Sequence, residues 1–225
     1  MQMRQIMLPV SGPRMAIVVG PDVFITSYND HKVIRMDWPA CAGVNGHVHV
    51  YRPRGIVYHQ GRLFVASYGS IVGSIVCLNA STLTVLYSFK TYRPRGIDVW
   101  KNLLVVTQVN RGRIVLFDTK GTWRRSFGGL KEPRDVCVHG DVAYVASTGS
   151  DAVVGVNLIT NARTPINSFR RPNGVATNGM SIVTSLWNVG QVIVECNHGG
   201  PLRTYAATTP SMASVSNGNY LVCDD

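Results

Sequence analysis

The sequence predicts an all-β fold, a single β-propeller of about six four-stranded blades, on three observations. Prolines at positions 13, 53, 94, 133, 172 and 210 are spaced 40, 41, 39, 39 and 38 residues apart, a period in the range of propeller blades. After each proline the same order of short β-rich strands and turns returns. No window of the chain shows the 3.6-residue periodicity of a helix.

Within each unit the proline leads into an apolar strand such as Gly96-Ile97-Asp98-Val99. A tight turn follows (Gly20-Pro21, Gln60-Gly61, Lys101-Asn102, Gly140-Asp141, Asn178-Gly179), then a second and more apolar strand such as Leu63-Phe64-Val65-Ala66. A polar loop and a third strand come next, and a weaker fourth strand precedes the following proline. The expected blades are 13–51, 52–92, 93–131, 132–170, 171–209, and a composite of 210–225 with 3–10. In that composite, residues 3–10 would supply a strand that closes the ring and brings the last blade to three strands. A blade short of strands leaves edges that another chain could pair with, so strand addition there is one expected route to a partner.

Charged residues make up only 15% of the chain, yet the net charge is +10. Such a potential favours nucleic acid, other polyanions, anionic membrane or an acidic protein surface, and it does not bear on fold. Of the 22 basic residues 17 are arginine, the side chain suited to bidentate contact with phosphate or carboxylate. The five cysteines, Cys41, Cys77, Cys137, Cys196 and Cys223, are scattered without metal-ligand spacing. Four of them lie in apolar runs, as buried free thiols do. No stretch reads as a signal peptide or a membrane helix. An intracellular, soluble protein is the expectation.

The unit resembles that of NHL-repeat propellers over nearly the whole chain. Pro-Arg-Gly-Ile occurs at Pro53 and Pro94, and the loops Asn29-Asp30-His31-Lys32-Val33-Ile34 and Asn110-Arg111-Gly112-Arg113-Ile114 follow the family's Asn-His-Arg-Ile-like loop. The family's Asp at the end of the first strand is mostly missing. The resemblance implies that loops leading into the inner strand and loops between second and third strands share one face around the channel mouth. It also implies RNA binding by that face, which some members show.

On that geometry the loops leading into the inner strand bring Arg14, Arg52, Arg54, Arg93, Arg95, Lys131, Arg134, Arg170 and Arg171 together, with Glu132 and Asp135 as their acids. The neighbouring loops add Tyr28, Asn29, Lys32, Tyr68, Asn110, Arg111, Trp187 and Asn188. The residue after the proline is arginine in four of the six units. At about 10 Å in water each pair of such charges repels by only roughly 0.4 kcal/mol. The ring is therefore tolerable empty and favourable to an anion. Arginines interleaved with Tyr and Trp fit single-strand recognition by phosphate contact and base stacking.

The expected function is a non-catalytic binding surface for a polyanion, single-stranded RNA first, with a protein-interaction or assembly module as alternative. No cofactor and no metal are expected. His47 and His49 could offer two zinc ligands but lack two more. Pro172-Asn173-Gly174 matches one fragment of calcium-dependent lactonase propellers, but a partner Glu is missing. A metal-dependent hydrolase or lyase is thus a second alternative, with Asp98 and Asp135 as channel-lining carboxylates.

Overall fold

The computed structural model describes residues 9–41, 43–196, 203–208, 210–216 and 219–224. The first blade comprises β1 (Pro13–Val19), β2 (Asp22–Ser27), β3 (Lys32–Asp37) and β4 (Val44–His49). The second has β5 (Pro53–His59), β6 (Arg62–Ser67), β7 (Val72–Asn79) and β8 (Val85–Tyr92). The third has β9 (Pro94–Trp100), β10 (Leu103–Gln108), β11 (Arg113–Asp118) and β12 (Trp123–Phe127). The fourth has β13 (Pro133–His139), β14 (Val142–Ser147), β15 (Ala152–Asn157) and β16 (Arg163–Ser168). The fifth has β17 (Pro172–Thr177), β18 (Ser181–Leu186), β19 (Gln191–Cys196) and β20 (Arg203–Ala206). In every blade the strands pair with their sequence neighbours, all antiparallel.

Five four-stranded blades are present where six blades were expected. The sixth position holds a two-stranded sheet, β21 (Pro210–Ser216) with β22 (Asn219–Asp224). Its expected third strand, at 3–10, falls outside the described residues except for Pro9 and Val10, which form a bend. Even so, β21 packs against both β17 and β1, so the ring closes. Cys223 joins the core shared with the first blade, and Val222 the core shared with the fifth.

Each second strand is covered by a neighbouring blade on both faces, which its sequence anticipates as an unbroken apolar run. β10 (LLVVTQ) is buried along all but its first residue. The outer strands instead alternate, as β8 does with its exposed and half-buried residues. The apolar clusters lie between adjacent sheets rather than within one. Phe64, Ile75, Ile97, Leu104 and Val115 join the second blade to the third. Three single-turn 3-10 helices, Val109–Arg111, Thr148–Ser150 and Trp187–Val189, sit between second and third strands. Three residues are too few to register as periodicity, so the sequence did not announce them.

Hydroxyl groups on the second strands, or just after one, fasten one blade to the next. The Thr26 hydroxyl donates to the Arg54 carbonyl at 2.6 Å and accepts from the Met15 N–H at 3.0 Å. Thr148 donates to the Pro172 carbonyl at 2.5 Å, and Ser185 to the Ser211 carbonyl. In β21 itself, Ser214 donates to the Ala16 carbonyl and so ties the two-stranded sheet to the first blade. Thr26 is fully buried, so Thr26→Val removes both bonds in a site water does not reach. A loss of about 1–3 kcal/mol is expected, read as a lower urea midpoint with unchanged slope, and Thr26→Ser should recover most of it.

Candidate polyanion-binding face

Every inner strand carries a β-bulge just after its proline. In β1 the register steps from Pro13↔Ser27 to Met15↔Thr26, leaving Arg14 as the extra residue. The same irregularity falls at Arg54 and Gly55, at Arg95 and Gly96, at Arg134, and at Asn173. A bulge breaks the strict in-and-out alternation of a strand and re-aims a side chain. Here it presents the residue after each proline to the mouth of the ring.

Before the prolines of the five blades the backbone is left-handed. Gly12 has φ +63°, Arg52 +42°, Arg93 +33°, Glu132 +47° and Arg171 +52°. This costs on the order of 1 kcal/mol or more for a residue with a side chain. Hydrogen bonds from neighbouring loops hold some of these residues. His31 Nδ1 accepts the Arg52 N–H at 3.0 Å, and Asp151 accepts the Arg171 N–H at 2.8 Å. The Tyr28 and Tyr68 N–H groups donate to the Gly12 and Arg52 carbonyls at 2.9 and 3.1 Å. The two sets of loops therefore lie together on one face.

The predicted residues gather unevenly on that face. Arg54 sits between two tyrosines, 4.5 Å from the Tyr28 ring centre and 4.4 Å from that of Tyr68. Arg14 and Arg52 lie 5.2 and 5.8 Å from Tyr28, and Arg93 lies 5.1 Å from Tyr68. Arg93 also donates to the Tyr68 hydroxyl and to Asn110. Arg95 reaches across the ring to Asn173 Oδ1 at 2.6 Å, and Arg134 meets the same oxygen at 3.2 Å. Arg111 stacks on Tyr92 at 3.9 Å. Lys32, Arg170 and Arg171 are exposed, as is Trp187, which has no cation contact among the described residues.

Burial holds the Arg95 guanidinium well below its ordinary value, and the charges of Arg54, Arg134 and Arg14 add to this while Asp135 opposes it. Arg54 is lowered by burial and then by Arg14. Arg134 is lowered by burial, with Glu132 opposing. Arginine keeps its proton across the ordinary pH range, so the cost stands as buried positive charge that Asp135 and Glu132 offset only in part. Its nearest carboxylate is Glu132, 3.7 Å from Arg134. The buried Nε atoms of Arg54, Arg95 and Arg134 have no hydrogen-bond partner among the described residues.

Beneath the arginines a cavity of about 370 Å³ runs between the inner strands, lined by Met15, Ile56, Ile97, Asp98, Val136 and Cys137 among others. The carboxylates of Asp98 and Asp135 are structural ties. Asp98 accepts the Val99 and Val138 N–H groups at 2.7 and 2.6 Å, and Asp135 the Val136 and Val175 N–H groups at 2.9 and 3.1 Å. Each therefore binds its own strand to that of the next blade. Among the described residues no three His, Cys, Asp or Glu side chains converge as metal ligands. His47 and His49 are exposed on the outer strand β4.

Sequence reasoning undervalued Asn173. It entered only as part of a Pro-Asn-Gly fragment, although it occupies the position after its proline and so belongs to the ring. The acids Asp30 and Asp151 on neighbouring loops were also missed. Asp30 accepts from the Ser27 hydroxyl and the Ser11 N–H, bonds that hold its carboxyl below the usual range. Cys77 and Cys137 are free thiols. Among the described residues no helix is long and apolar enough to cross a membrane.

This fold defines a class: a β-propeller of four-stranded antiparallel blades. No family model and no curated protein matches the chain. Solved structures do. A chain of a nidogen/laminin complex superposes with a TM-score of 0.76 at 18% identity, over 93% of this chain and 87% of that one. A chain of hydrazine synthase from Kuenenia stuttgartiensis gives 0.71 at 13% identity, over 100% and 99%. A streptogramin B lyase gives 0.70 at 15% identity, over 97% and 78%. At such identities the likeness is one of fold, and propellers of this shape serve unrelated functions.

Proposed function

We propose that this chain is a non-catalytic binding platform, an intracellular propeller of NHL-like type with the β21–β22 sheet as its sixth position. Its arginine face receives a polyanion, single-stranded RNA first. One observation carries the reading: four arginines at equivalent bulges face one mouth, and Arg54, Arg95 and Arg134 have between them a single carboxylate within ion-pair distance among the described residues. Positive charge brought together at a cost to the fold favours a ligand that neutralises it. Tyr28 and Tyr68 already stack on guanidinium groups. They therefore support phosphate contact more than base stacking, which falls to an exposed ring such as Trp187. An acidic protein surface is the second reading, since carboxylates would meet the same forks.

The test is fluorescence anisotropy of an unstructured RNA oligomer across a salt series. The wild type should bind at low salt with log affinity falling by roughly 0.7 per phosphate contact per decade of salt. The double change Arg54→Glu/Arg95→Glu should weaken binding at least a hundred-fold, about 3 kcal/mol. Equal binding by both proteins, or none at low salt, would remove RNA and leave the acidic-partner reading.

A further inference from the structure

Arg95 and Arg134 come from the third and fourth blades, yet both donate to one oxygen of Asn173 in the fifth, at 2.6 and 3.2 Å. A neutral amide oxygen thus holds the place where two guanidinium forks meet. That convergence suits a single anionic group more than an extended run of them. The span also bears on access. Asn173 lies 78 residues beyond Arg95, two blades around the ring, so the Arg95 side chain crosses the mouth. None of the arginines lines the cavity beneath. Arg95 thus lies across the path of a polymer running down the ring axis, which favours a strand that ends or turns there.

We infer that the ring centre takes a terminal phosphomonoester of the bound strand, while the outlying Arg52, Arg93, Arg111 and Arg171 meet its internal phosphates. This rests on the polyanion reading above and adds the chemical group that the centre selects. An internal phosphodiester brings one charge and two terminal oxygens, and its chain must continue on both sides. A phosphomonoester carries about −1.5 to −2 charges at neutral pH and three acceptor oxygens. Only the second can neutralise two or more forks from one direction.

Three internally labelled RNA oligomers of one sequence provide the test: a 5′-phosphate, a 3′-phosphate, or hydroxyls at both ends. Each is titrated against the wild type and Asn173→Asp. That substitution keeps the side-chain shape but puts a carboxylate on the Arg95 and Arg134 forks. At least one phosphorylated oligomer should bind the wild type about ten-fold or more tightly than the hydroxyl form. The preference should vanish in Asn173→Asp while salt-dependent binding of the hydroxyl oligomer persists. Equal affinities of all three for the wild type, still lost in Arg54→Glu/Arg95→Glu, would overturn the terminal site and leave the polyanion face standing. Failure of every oligomer to bind at low salt would overturn both. A nucleoside monophosphate serves as competitor. If it displaced the phosphorylated oligomer at equal concentration, the site would belong to free nucleotide and the strand-end assignment would fall.

Discussion

Gly96→Ala is expected to destabilise the protein by about 3 kcal/mol, at the upper end of the usual cost of overpacking a core. A Cβ on Gly96 would stand 2.7 Å from the Asp135 Cα and 2.8 Å from the Val136 nitrogen. Both are backbone atoms of the neighbouring inner strand, which cannot swing aside as a long side chain would. Gly55 makes the same approach one blade earlier, where a Cβ would lie 2.6 Å from the Arg95 carbonyl oxygen. Inner strands of successive blades come this close because the ring narrows toward its axis. Equilibrium denaturation of Gly96→Ala and Gly55→Ala checks the claim, with Gly61→Ala as a third variant. A Cβ on Gly61 would meet no atom within 4 Å, but the residue has a φ of +76°. Its cost should come from backbone conformation alone, about 1 kcal/mol. Core glycine changes that cost no more than Gly61→Ala would remove close approach as the reason for glycine at these sites.

Thermal stability is expected to fall as pH rises from about 4 to about 7. Burial pushes the Asp98 carboxyl from 3.8 up to about 6, and that of Asp135 from 3.8 up to about 7, against the backbone bonds and, for Asp135, the Arg95 charge. Below pH 3.8 both groups are protonated whether the chain is folded or not, and the stabilisation is complete. Between that value and the raised ones the unfolded chain releases its protons while the folded protein keeps them, so unfolding gains. Above about 7 the loss is complete. Each unit is worth roughly 1.4 kcal/mol, which puts the two groups together at several kcal/mol. Asp118, lowered to about 2 chiefly by its bond to the Thr122 backbone, acts below this window and with opposite sign. Melting curves at about pH 4.5, 6 and 7.5 should show a falling midpoint, and Asp98→Asn/Asp135→Asn should flatten the profile. A wild-type midpoint that rises through the window would mean that the two carboxyls are ionised within the fold.

The blades were legible because proline marks the start of each inner strand and the second strands are nearly continuous apolar runs. Runs such as Leu104-Val105-Val106 need cover on both faces, and only neighbouring sheets provide it. The arginine face was partly legible too, since the residue after each proline recurs in register. What the period could not carry is the partnering around the ring. That Arg95 reaches Asn173 depends on side-chain length and on the curvature of the whole ring, neither of which is local in sequence. Nor could alternation reveal that Tyr28 and Tyr68 would give their faces to Arg54. The two-stranded sixth sheet was anticipated as incomplete, but its closure through Ser214 and Ala16 joins residues almost a full chain length apart.

The bulge after each proline separates two kinds of information that most strands carry together. Proline and the bulge set where a side chain points, and they do so whether that residue is Arg14, Asn173 or Ser211. The identity of the residue then sets only what is offered. Positions 14, 54, 95, 134, 173 and 211 thus behave as interchangeable sockets on one chassis. Related sequences could trade cations for amides, hydroxyls or acids there and acquire new ligands while every blade keeps its register. Divergence in such a molecule would be expected to run fastest at its centre and slowest in the strands around it.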